Sequence, residues 1–87
     1  MTDIVATNQF ERDWKKYSKV AWSKEWLEIM ECLQENKPMS KPRDNHKLSG
    51  DWQGFMECKV APDILIIYKA ENGFIRLHRI GSHLIGI

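Results

Sequence analysis

Cysteine is scarce in this 87-residue sequence, and its two copies, Cys32 and Cys58, form neither a C-x-x-C pair nor a zinc-ligand spacing. Both fall at patterned apolar positions, so both are expected as reduced core residues, and a disulfide scaffold is not. Long apolar runs are missing as well. Nothing approaches the roughly 18 residues of a membrane-spanning helix. The first residues, Met1-Thr2-Asp3-Ile4-Val5, lack the basic start and apolar stretch of a secretion signal. These absences lead to the expectation of a cytoplasmic protein that makes no use of a membrane. There is no internal repeat, no low-complexity tract and no linker, so residues 1–87 are expected to form a single domain. An excess of one charge is also missing: 13 Lys and Arg stand against 12 Asp and Glu.

What is present is the mixture of an ordinary globular domain, 43% hydrophobic and 29% charged. A chain of this length buries only roughly 60–65% of the surface its unfolded form exposes, which leaves room for one sheet and a pair of helices. The charge is unevenly spread. Residues 1–36 carry five basic and seven acidic side chains, whereas residues 37–87 carry eight and five. A polyanionic partner is therefore expected to meet the C-terminal part.

Asp3–Ala6 reads as a short strand. Asn8 with Glu11 three residues later has the spacing of a capping box. Phe10, Trp14 and Tyr17 follow at i, i+4 and i+7, which places them on one helix face. Ser18–Ala21 reads as a brief connection. Ser23 caps a second helix, whose stripe is Trp26, Met30 and Leu33, widened by Leu27 and Ile29, with Trp22 and Leu27 spaced as a staple around the cap. Asn36 and Pro38 end it. The short link predicts an antiparallel helical hairpin. Residues 37–50 form a polar loop that contains His46. Trp52–Val60 alternates with period two, Ile64–Lys69 is a nearly continuous apolar run, and Asn72-Gly73 turns the chain into Phe74–Ile80. The expected fold is α+β: an N-terminal strand and a helical hairpin packed on a three-stranded antiparallel meander.

Alternation places Glu57 and Lys59 on the sheet face opposite Met56 and Cys58. Asp63 follows Pro62 at the start of the next strand, Arg79 ends the last one, and His83 follows it. His78 alternates away from Arg79 and reads as structural. Singly, each of these residues has an ordinary surface or turn role. Brought together by antiparallel pairing, His46, Lys59, Asp63, Arg79 and His83 suit RNA cleavage without a metal or other cofactor. The ribose 2′-hydroxyl attacks the adjacent phosphate, a base takes its proton, an acid protonates the leaving oxygen, and cations hold the added phosphate charge. Histidine serves either proton-transfer role near neutral pH, and Lys59 and Arg79 suit the phosphate oxygens.

Three strings carry a resemblance. Asp44-Asn45-His46-Lys47-Leu48-Ser49-Gly50-Asp51-Trp52-Gln53-Gly54-Phe55 is similar to the H-x-L-x-G-x-W-x-G-[YF] segment of the YafQ branch of RelE-like toxins. Glu57-Cys58-Lys59-Val60-Ala61-Pro62-Asp63-Ile64-Leu65-Ile66-Ile67-Tyr68 is similar to its [DE]-[AC]-H-[IV]-x-P-D-x-[IL]-[IL]-[IVL]-Y segment, and Arg79-Ile80-Gly81-Ser82-His83 to its R-x-G-[ST]-H end. Order and spacing agree across residues 44–83. The resemblance implies the RelE-like fold and an endoribonuclease that cuts mRNA on the ribosome. It also implies a cognate antitoxin, in a hetero-oligomeric complex bound to operator DNA through that antitoxin. By position it makes His46, Asp63 and His83 catalytic, with Arg79 and Lys59 beside them. It offers His46 or Asp63 as the base and His83 as the acid, and marks Lys47, Glu57 and Ile87 as RNA contacts. Two departures stand out: Lys59 replaces a histidine, and Ile87 replaces a terminal aromatic able to stack on a base. A gyrase-inhibiting toxin of the ParE kind, and a weakened or noncatalytic toxin-fold binder, are the rival functions.

Overall fold

The computed structural model describes residues 2–82. Strand β1 (Asp3–Ala6) leads directly into helix α1 (Asn8–Ala21), and helix α2 (Lys24–Glu35) follows. A single-turn helix at Lys41–Arg43 precedes strand β2 (His46–Lys47), and another at Gly50–Trp52 precedes β3 (Met56–Ala61). Strands β4 (Ile64–Glu71) and β5 (Phe74–Ser82) complete one five-stranded sheet in the order β1-β5-β4-β3-β2. β1 runs parallel to β5, and every other pairing is antiparallel. The expected meander and N-terminal strand are both present, and β2 is an added strand within the stretch read as loop.

Helix α1 begins one residue earlier than the capping-box spacing indicated. Thr7, not Asn8, is the N-cap: its Oγ1 accepts the Phe10 N–H at 3.0 Å. Tertiary contacts decide this. Thr7 N–H donates to the Leu77 carbonyl at 3.0 Å, and its hydroxyl donates to the His78 carbonyl at 3.2 Å, so β5 fixes the point where β1 stops and the helix starts. The helix also runs through Ser18–Ala21 instead of breaking there, because fully buried Ala21 belongs to its core face. The link between helices is only Trp22 and Ser23. Ser23 Oγ accepts from Trp26 N–H at 3.2 Å, as the sequence indicated. Asn36 ends α2 in the left-handed region at φ 53°, a conformation asparagine tolerates. Trp22 and Leu27 stay 63% and 56% exposed, so neither belongs to the core.

Both helices pack on one face of the sheet. Phe10, Ala21, Ile29 and Leu33 meet Cys58, Val60, Ile66, Tyr68, Ile75, Leu77 and Ile80. Trp14 and Trp26, with ring centroids 4.6 Å apart, join the two helices at the margin. Both cysteines are free and buried, as expected. Burial pushes the Cys58 thiol up to about 12, which rules it out as a nucleophile near neutral pH.

Two irregularities shape the other face. In β5 the register slips between the pairs Ile67↔Arg79 and Tyr68↔Leu77, so His78 is an extra, bulged residue. The bulge lets Leu77 and Ile80, three apart, both enter the core. It also corrects the reading of His78. The residue does not alternate away from Arg79: its ring lies 4.7 Å from that of Phe55, on the face away from the helices. In β3 the register slips between Lys59 and Ala61. There the Arg43 Nη1 donates to the carbonyls of Lys59 at 2.8 Å and Val60 at 3.2 Å. Its Nε sits 3.6 Å from Glu28 of α2, and the same carboxylate accepts the Ser40 N–H at 2.9 Å. One arginine thus joins α2, the loop and the outer edge of β3.

Candidate active site

Strand β2 is two residues long, yet it brings His46 directly opposite Glu57. Its approach is fixed from both sides. The Tyr68 hydroxyl, buried at the core margin, donates to Asn45 Oδ1 at 2.8 Å, and burial pushes the phenol up to about 12. Asp44 adopts the left-handed conformation at φ 47°. Its carbonyl lies 2.7 Å from His46 Nδ1. On the other side of the ring, Nε2 lies 3.1 Å from Glu57 Oε1. Glu57 is the one buried charged residue among those described, at 4% exposure, and its Oε2 has no hydrogen-bond partner. A buried carboxylate with one unpaired oxygen is costly unless function retains it.

The sheet register places the other candidates around this pair. Glu57, Ile67 and Arg79 form one row across β3, β4 and β5, and Lys59, Leu65 and Gly81 form the next. Lys59 therefore shares the face of Glu57, as the alternation indicated, and is half-buried. Arg79 is turned toward α1: its Nε and Nη2 donate to Asp13 at 2.8 and 3.3 Å. Asp63 is exposed on the turn between β3 and β4. Since Ile64 pairs with Ser82, that turn lies beside the end of β5. His83 and Ile87 lie outside the described residues. Glu57 and Ala61 are four residues apart along β3, about 13 Å. His46 and Asp63 thus occupy opposite ends of the face and share no hydrogen bond. Lys47 alternates to the side of Met56 and lines a shallow cavity of ≈ 550 Å³ at the sheet edge with Leu48, Gln53 and Phe55.

A cluster absent from the sequence reading lies beside the row. Phe55 meets Trp52 and His78 edge-on, at centroid distances of 5.0 and 4.7 Å, and the Lys69 ammonium sits 5.3 Å above the Phe55 ring. His78 Nε2 is buried without a partner, and burial together with the Arg76 charge holds its pKa below the usual imidazole range. His78 is therefore neutral near pH 7. Only the bulge places it here, and a bulge leaves no mark in a pattern of alternating residues.

Asp13 makes a testable contribution to stability. Burial raises its pKa, but hydrogen bonds from Arg79, the Ile80 N–H and Gln9 outweigh that and hold it below 3.8. A folded value below the unfolded one stabilises the protein above the unfolded value, and this is lost as pH falls through the folded value. Asp13→Asn is expected to flatten the acid limb of the stability profile below pH 3.8. Denaturant midpoints measured from neutral to acid pH check this; an unchanged acid limb would remove Asp13 from the account.

Among the described residues no group of three or more His, Cys, Asp or Glu is disposed to hold a metal, and no helix is long and apolar enough to cross a membrane. The family model described as a bacterial toxin of type II toxin-antitoxin system, YafQ, matches residues 2–85. The mRNA interferase toxin YafQ of Escherichia coli K12 is 30% identical over 83 residues, which cover 93% of this chain and 90% of that protein. The crystal structure of YafQ from E. coli BL21(DE3) superposes with a TM-score of 0.82 at 29% identity, covering 99% of this chain and 100% of the other. YafQ in the E. coli DinJ-YafQ toxin-antitoxin complex superposes with a TM-score of 0.81 at 28% identity, covering 99% and 97%.

Proposed function

Because the chain belongs to the YafQ family of bacterial toxins of type II toxin–antitoxin systems, we propose that it is an mRNA endonuclease, an mRNA interferase that cuts message on the ribosome. A cognate antitoxin neutralises it, and the hetero-oligomeric complex binds operator DNA through the antitoxin. Its place of action is the cytoplasm. The observation that carries this reading is the row of His46 and Glu57 on the helix-free face of the sheet, with Lys59 one row further along it.

The chemistry follows from the residue types. A ribose 2′-oxygen attacks the adjacent phosphorus, the P–O5′ bond breaks, and a 2′,3′-cyclic phosphate remains. A base receives the 2′-hydroxyl proton and an acid supplies one to O5′, so the proton count balances. Asp63 or His46 takes the first role and His83 the second. Lys59, a point charge, and Arg79, with the guanidinium edge not turned to Asp13, lower the energy of the doubly charged phosphorane oxygens. Lys47 and Ile87 contact the RNA, whereas Glu57, which the sequence reading placed with them, is buried and acts through its contact with His46. DNA lacks the 2′-hydroxyl and is not a substrate.

Lys59 carries a second expectation. A lysine side chain suits holding phosphate charge, whereas the histidine it replaces also suits proton transfer. Lys59→His is expected to preserve or raise cleavage, read as initial rates on one message. A large loss would give Lys59 an essential role of its own. Primer extension on cellular mRNA after induction tests the function itself. New cuts within translated regions support the interferase. Growth arrest without cuts points to a gyrase inhibitor, and neither to a binder that has lost catalysis.

A further inference from the structure

We propose that the outward stripe of helix α1, made of Arg12, Lys15, Lys16 and Lys19, is a docking surface for the phosphate backbone of ribosomal RNA, separate from the face that meets the message. The choice of ribosomal RNA rests on the interferase reading above, which puts the protein on the ribosome.

Helix geometry gathers the four cations. They stand at i, i+3, i+4 and i+7, so at about 3.6 residues per turn they share one face. Phe10, Trp14, Tyr17 and Ala21 hold the opposite face against the sheet. The stripe therefore points away from the sheet, and all four of its residues are exposed. It covers about 10 Å of helix. That is close to the distance over which physiological salt screens a charge, so the four act on a polyanion together.

None of the four has an acidic partner among the described residues. Arg12 Nη2 donates to Gln9 Oε1 at 2.9 Å, and the Lys16 ammonium sits 5.4 Å from the centroid of the Tyr17 ring. The acids of α1 do not neutralise the stripe. Asp13 is taken up by Arg79 at 2.8 Å and by the Ile80 N–H at 3.2 Å, which leaves Glu11 at the stripe's margin. Like charges three and four apart on a helix repel one another, so this arrangement works against α1 until an anion covers it.

The neighbouring helix has the opposite sign. α2 carries Glu25, Glu28, Glu31 and Glu35 against Lys24. The acidic surplus of residues 1–36 thus lies mostly on α2, and a sum over the sequence hides the basic face of α1. A phosphate surface is drawn to α1 and repelled by α2, which orients the protein as it lands. The message is not the occupant. His46, Glu57 and Lys59 lie on the helix-free face, and a strand of RNA laid along them leaves the stripe uncovered on the other side. The polyanion that surrounds the message on the ribosome is ribosomal RNA.

Co-sedimentation with purified bacterial ribosomes carrying no message, over a range of salt concentrations, tests the stripe. The triple variant Lys15→Gln, Lys16→Gln, Lys19→Gln is expected to bind about 10–100-fold more weakly at physiological salt, and its slope of log affinity against log salt is expected to fall by roughly 2–3. Because the substitutions relieve repulsion, the variant is expected to melt no lower than the unsubstituted protein. A control that loses the same charge elsewhere, Lys24→Gln, Lys37→Gln, Lys41→Gln, is expected to keep most of the binding. Equal losses in the two triple variants would reduce the effect to net charge and overturn the proposal, as would an unchanged salt slope in the stripe variant. A stripe variant that binds ribosomes normally but no longer retains the cognate antitoxin would give the surface to the antitoxin and overturn it too. No ribosome binding by the unsubstituted protein would also sink it, and cleavage of free message by that protein would still leave an endonuclease. Stripe-dependent binding by a protein that cuts nothing would remove the interferase reading and leave the docking surface standing.

Discussion

His83→Ala is expected to lower mRNA cleavage by about 10²–10⁴-fold, the usual contribution of a positioned general acid, with the thermal midpoint unchanged. The expelled 5′-oxygen is a poor leaving group unless it is protonated as the P–O bond breaks. Of the three histidines, His46 is engaged at both nitrogens and His78 is held neutral by burial, which leaves His83 as the histidine proposed for that role. Its position in the chain fits the task. In sequence it follows Ser82, which pairs with Ile64 next to the turn bearing Asp63. Primer extension on induced cells, with growth curves and a melting curve of the purified variant, reads all three quantities. A folded variant that still arrests growth and still cuts message would take the acid role away from His83.

Arg43→Ala is expected to have the largest effect on stability, about 3 kcal/mol, because it strips hydrogen bonds and an ion-pair partner from a mostly buried point. The Arg43 side chain is 11% exposed. Removing it leaves the carbonyls of Lys59 and Val60 without their donor at a break in the strand register, and leaves Glu28 facing no cation. For a domain of this size the loss corresponds to roughly 12–24 °C in melting temperature. Arg43→Lys keeps the charge but not the fork of donors, and is expected to lose less. Urea unfolding of the three proteins checks this. A loss below about 1 kcal/mol in Arg43→Ala would mean that water replaces the guanidinium at the strand edge.

The elements that repeat a simple period were legible in the sequence. Phe10, Trp14 and Tyr17 announced α1, Ser23 and Asn36 bounded α2, and Asn72-Gly73 marked the hairpin of β4 and β5. Alternation placed Glu57 and Lys59 on one face. Whatever depends on partners distant in sequence was not legible. Thr7 outcompetes Asn8 as the cap because β5 binds it, and Arg43 did not stand out in the stretch read as loop because its carbonyl partners lie 16 and 17 residues away. β2 escaped notice because two residues form a strand only when β3 stands beside them. The same holds in the candidate site. His46 and Glu57 each stood out by residue type, but their contact comes from register, and the arrival of His78 on this face comes from an inserted residue in β5.

The parallel pairing of β1 with β5 bears on when the protein becomes dangerous to the cell that makes it. Asp3 pairs with Phe74 and Ala6 with Leu77, so the first described strand to leave the ribosome waits for the last described one. β5 also lies between β1 and β4, and it carries the backbone groups to which Thr7 and Asp13 bind. Until residues 74–82 have emerged, α1 has no seat and the row from Glu57 to Arg79 has no end. Contacts so far apart in sequence close late in folding. On the function proposed above, a nascent chain lacks a finished face until β5 docks, and that interval is time in which an antitoxin would reach the toxin before it is complete.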